Sequence, residues 1–76
     1  MISGLVIHLG SDESLVDTAV TAMRDYSAIE LGDCVGSRLP AVVEAKDGGT
    51  AEELTDWLRR LSGVTHVDVA YVHLED

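Results

Sequence analysis

One helix, striped on a single side and marked at its head, constrains this chain more than any other stretch. Leu54, Trp57, Leu58 and Leu61 recur at i, i+3, i+4 and i+7, so four large apolar side chains share one side of about three turns. Thr50-Ala51-Glu52-Glu53 stands ahead of them as a capping box, in which the Thr50 hydroxyl meets the N–H of Glu53 and Glu53 reaches back to the N–H of Thr50. The flanking residues carry a different period. Leu39, Ala41 and Val43 alternate before the helix. After Gly63, read as a left-handed stop, Val64 to Val72 is rich in β-branched residues. A helix between two strands buries its stripe against the sheet that they form.

The first half repeats this layout. Ile2 to Leu9 alternates as a strand, and Gly10-Ser11-Asp12-Glu13 supplies a turn, a capping oxygen from Ser11 or Asp12, and acidic charge at the start of the next helix. Leu15, Ala19, Ala22, Met23 and Tyr26 form its buried stripe, and the helix is predicted to end near Tyr26-Ser27. Ala28 to about Cys34 reads as an edge strand, and Val35 to Arg38 as a turn leading to a strand over Leu39 to Glu44. Pro40 lacks the N–H that a central strand donates, which places it at that strand's start or at a bulge. The order strand, helix, strand, strand, helix, strand over residues 1–76, with right-handed crossovers, predicts a single α+β domain. Its architecture is a ferredoxin-like βαββαβ sandwich with two helices on one face of a four-stranded antiparallel sheet. The predicted strand order is four, one, three, two, with Trp57 buried between the second helix and the sheet.

Size and charge narrow the function. A chain of 76 residues buries only about 60% of its unfolded surface, so a deep closed cavity is hard to build and function is expected on a face, an edge or an oligomer interface. This disfavours an enzyme that works as a monomer. Fourteen Asp and Glu against five Lys and Arg give a net charge of −9, which repels phosphate backbones and attracts cations. Nucleic acid is thereby excluded as a partner. The single Cys34 permits no internal disulfide and fits a reducing compartment, so a cytoplasmic location is expected. No basic leader and no apolar run of about 18 residues is present, so neither export nor membrane insertion is expected.

Period two sorts the strands by face. If Leu5, Ile7, Ile29, Leu31, Ala41, Val43, Val67, Val69 and Tyr71 point at the helices, the alternate set lies on the open side. That set is Val6, His8, Glu30, Val42, Glu44, Asp68, Ala70 and Val72, an apolar platform carrying three carboxylates. Such a patch marks an interaction surface, for a partner or for a second copy of the chain. Its charge selects a partner that is both apolar and cationic, which is the composition of a signal peptide.

Other motifs read more simply as structure. Cys34 has no basic neighbour to activate its thiol, and no two of His8, His66 and His73 have the spacing of a helical metal pair. No catalytic residue, cofactor or metal is expected. His8 and Asp68 can pair if the first and last strands are neighbours. Arg59-Arg60 ends a helix, where cations complement the dipole, and Gly48-Gly49 lacks the lysine of a phosphate loop.

Across nearly its whole length the chain resembles the NapD family, cytoplasmic chaperones of the catalytic subunit of periplasmic nitrate reductase. The resemblance rests on Ile2-Ser3-Gly4-Leu5-Val6-Ile7-His8, Val42-Val43-Glu44-Ala45, the helix exit from Leu58 to Gly63-Val64, and Tyr71-Val72-His73-Leu74-Glu75. Pro40 departs from the family's β-branched preference, and Val72 stands where the family often has histidine. The resemblance implies that the protein binds the twin-arginine signal peptide of the reductase precursor and holds back export until the molybdenum cofactor is loaded; a monomer or weak homodimer is expected. A second reading of the same fold is a small-molecule-sensing or regulatory domain. A third is a small dimeric enzyme using His8 and Asp68 as an acid–base pair.

Overall fold

A computed structural model describes residues 1–73; Leu74 and Glu75 of the terminal motif lie outside them. The elements are β1 (Ile2–Leu9), α1 (Glu13–Arg24), β2 (Ile29–Leu31), β3 (Arg38–Glu44), α2 (Gly48–Arg60) and β4 (Val64–His73). They form one antiparallel sheet in the order β2-β3-β1-β4, the expected sequence of strands, with both helices on one side. This is the ferredoxin-like sandwich. Leu5, Ile7, Leu39, Ala41, Val43 and Val67 from the sheet close against Ala19 and Met23 of α1 and Leu54 and Leu58 of α2.

Both helices begin on an aspartate. Asp12 accepts from the N–H groups of Ser14 and Leu15. The expected capping box at Thr50 is corrected by Asp47, whose carboxylate accepts from the Thr50 N–H at 2.8 Å, so α2 starts at Gly48 and Thr50 lies inside its first turn. A carboxylate facing bare N–H groups and the positive helix end outcompetes a hydroxyl there. That N–H, more than any other contact, holds the Asp47 carboxyl below its usual range. The stabilisation is present above the ordinary Asp range and is lost as pH falls through the lowered value. Asp47→Asn keeps an acceptor oxygen but cannot ionise. Its acid-side loss of stability is expected to be shallower than the parent's, read as urea midpoints between about pH 2 and pH 6.

Trp57 corrects a second expectation. It is only half-buried, on the flank of α2 that faces the end of α1, where its ring lies 5.0 Å from that of Tyr26. The stripe is buried by Leu54 and Leu58 instead, with Ala51 and Thr55 beside them. The stripe of α1 also narrows to Ala19 and Met23, leaving Leu15 and Tyr26 each 43% exposed. The edge strand β2 is shorter than expected. Its early end explains Pro40, whose carbonyl accepts from Gly32 N–H at 2.9 Å just past β2. The N–H that proline lacks would have pointed the same way, to where the neighbouring strand has run out.

Two features of the backbone set the path and pairing of β4. Gly63 has φ +96°, and a Cβ there would stand 2.7 Å from the backbone carbonyl of Leu15, so the approach to β4 crosses α1 at a distance that only glycine allows. In the β1–β4 ladder, Gly4 pairs with Tyr71 but Leu5 pairs with Val69. Ala70 is therefore an extra residue, and Ala70 and Tyr71 together oppose one residue of β1, as in a β-bulge.

Candidate functional site

The bulge reassigns two side chains. Tyr71 pairs with Gly4 on the open side, whereas Val72 pairs with buried Ser3 and joins Val69 on the helix side. Both placements reverse the expectation from strict alternation, because one inserted residue inverts the parity of everything after it. Tyr71 then places its ring over Gly4. A Cβ on Gly4 would stand 2.0 Å from its Cε1, so the glycine makes room for the ring.

Cross-strand register arranges the open face in rows. Arg38, His8 and His66 form the first; Pro40, Val6 and Asp68 the second; Glu30, Val42, Gly4 and Tyr71 the third; Glu44, Ile2 and His73 the fourth. The middle rows enclose a shallow hollow of about 490 Å³, lined chiefly by apolar groups. Of the residues predicted for this face, Val6, Glu30, Val42 and Ala70 line it. His8 and Asp68 lie together beside it, and Glu44 is exposed at the far end of β3, where it also borders the cleft at Tyr26 and Trp57. Val72 is on the other side of the sheet.

Tyr71, Gly4, Pro40, Arg38 and His66 also belong to this face and were not predicted for it. Gly4 inside a strand was a usable sign of close approach, and His66 lies two residues from Asp68, hence on its side. Arg38 and the histidines make one end of the platform cationic when protonated, so the carboxylates do not act alone.

The Asp68 carboxylate joins two strands. One oxygen accepts from His8 Nε2 at 2.9 Å and the other from His66 Nε2 at 2.5 Å, the two rings lying 5.4 Å apart. The His8 hydrogen bond foremost, then that from His66, holds the Asp68 carboxyl below its usual range. His8 and Asp68 thus pair, as neighbouring first and last strands allow, with His66 as a third member. Among the described residues no set of three such side chains is arranged to hold a metal ion. Cys34 lies in the exposed loop after β2, its Sγ 3.6 Å from the Gly36 carbonyl.

No family model and no curated protein matches this chain. A solved structure does. The solution structure of the E. coli Tat proofreading chaperone protein NapD matches with a TM-score of 0.79 and 22% identity, covering 100% of this chain and 80% of that one. This chain has the NapD fold. The fold includes the uncovered sheet face, but ferredoxin-like sandwiches serve many ends, so what this face can do depends on the residues that this chain places there. Among the described residues no helix is long and apolar enough to cross a membrane.

Proposed function

We propose that this chain is a chaperone of the NapD kind, which binds a twin-arginine signal peptide across the open face and holds back export of the precursor until its cofactor is loaded. The reading is carried by the hollow itself: an apolar floor of Val6 and Val42, walled by Tyr71 and Pro40, with the Glu30 carboxylate at its margin. A twin-arginine peptide couples a cationic segment to an apolar one. The floor excludes water from the apolar part while Glu30, Asp68 and Glu44 attract the arginines, in a field already set by a net charge of −9. The client on this reading is the catalytic subunit of a periplasmic nitrate reductase, met in the cytoplasm before export by a monomer or weak homodimer.

Calorimetric titration with a twin-arginine peptide, against a control with both arginines replaced by glutamine, tests this. The arginine peptide is expected to bind more tightly. Glu30→Gln should weaken it by only ~0.2–1 kcal/mol, and mostly at low salt, because exposed carboxylates are screened. Equal affinity for the two peptides would remove charge from the account. The size of the hollow favours one other reading, a small-molecule sensor, since about 490 Å³ falls within the range of ligand sites. A thermal-shift screen with amino acids and nucleotides separates the two.

A further inference from the structure

We propose that Asp68 anchors one arginine of the bound peptide and that His8 and His66 set the pH range in which it can do so. The inference rests on the peptide-binding reading above. A guanidinium engages a carboxylate best through two parallel N–H···O bonds, which need both oxygens. Each oxygen of Asp68 already accepts one hydrogen bond, one from His8 and one from His66. An incoming arginine therefore meets both imidazoles, and either takes their place or binds beside them on the second lone pair of each oxygen.

The cost of that encounter depends on protonation. Imidazoles as a class change charge between pH 5 and 8. Protonated, the two rings hold the carboxylate by charge-assisted bonds and repel a further cation; neutral, each offers one ordinary hydrogen bond and no repulsion. The surroundings do not offset this. His8 projects from β1 and His66 from β4, Arg38 stands beyond His8 on β3 and adds positive charge, and the other members of the Asp68 row, Val6 and Pro40, are uncharged. Glu30, across the hollow, has no imidazole in its row between β2 and β3. Its contribution is independent of the switch.

Binding thus releases protons, and the peptide binds more tightly as pH rises. One proton released per peptide changes affinity by up to about tenfold per pH unit below the imidazole range. Over the whole range, from about pH 5.5 to about pH 8, the affinity is expected to increase roughly three- to tenfold. The experiment is a titration of a histidine-free twin-arginine peptide at those two pH values into the parent chain, Asp68→Asn, Glu30→Gln and the double variant His8→Gln, His66→Gln, with folding checked by circular dichroism. The double variant is expected to bind with nearly the same affinity at both pH values. Asp68→Asn should narrow the gap at pH 8 between the twin-arginine peptide and its glutamine control. Equal parent affinity at the two pH values, with Glu30→Gln still weakening binding, would overturn the switch and leave the peptide reading standing. Absence of binding at either pH would overturn both.

Discussion

Val6→Lys is expected to weaken twin-arginine peptide binding by about tenfold or more, ~1.4 kcal/mol at least, in a chain that still folds. Val6 lies at the centre of the open face, flanked by Pro40 and Asp68 in its row, and forms part of the floor of the hollow. An ammonium there stands in the contact that the apolar segment of the peptide has to dry, and it repels the arginines directly. It also reaches the neighbouring Asp68 and competes for that carboxylate. No helix covers this side, so the substitution introduces no clash in the core. Calorimetry beside a urea denaturation separates binding from folding. Parent-like affinity in a folded Val6→Lys chain would move the site off the face.

Gly63→Val is expected to destabilise the fold by about 3 kcal/mol or more. Positive φ alone costs a side chain about 1–2 kcal/mol. The larger penalty is steric, because the new Cβ would fall 2.7 Å from the Leu15 carbonyl carbon and oxygen and 2.9 Å from the Val16 nitrogen, all backbone atoms of α1. Relieving this means lifting the first turns of α1 from the loop ahead of β4. A domain of this size has a total stability of only about 4–11 kcal/mol, so a loss of about 3 kcal/mol or more removes much of it. Thermal melts followed by circular dichroism test this, and a parent-like midpoint would mean that α1 and the loop separate at little cost.

Most of the architecture was legible because it depends on periodicity. The apolar stripes, the alternation of Leu39, Ala41 and Val43, and the two strand–helix–strand units led to the observed strand order. Errors arose where a single residue outweighed a pattern. Thr50 and Glu53 match a capping box by letter, but Asp47 lies three residues ahead of Thr50 and captures its N–H first. Trp57 keeps the helical spacing yet sits on a flank, since a stripe some four residues wide cannot all meet the sheet squarely. Period two held along β4 from His66 to Val69 and was inverted after Ala70. Five of the eight residues predicted for the open face, Val6, His8, Glu30, Val42 and Asp68, occupy it as alternation requires, with Glu44 at its far end and Ala70 held there by the bulge. Their arrangement, a hollow beside a carboxylate held by two imidazoles, depends on pairing between strands distant in sequence and was not visible within any one of them.

The extra residue at Ala70 also governs what can lie alongside β4. A ten-residue strand at the margin of a sheet is ordinarily a template, since its outward N–H and C=O groups invite another chain to extend the sheet. Here the regular spacing of those groups is broken between Val69 and Tyr71 and again opposite His8 and Leu9. An extended segment zipped onto this margin would lose register part-way and forfeit hydrogen bonds at each break. The bulged strand therefore discourages growth of the sheet into filaments, and a peptide bound as proposed would lie across the platform rather than join it as a fifth strand.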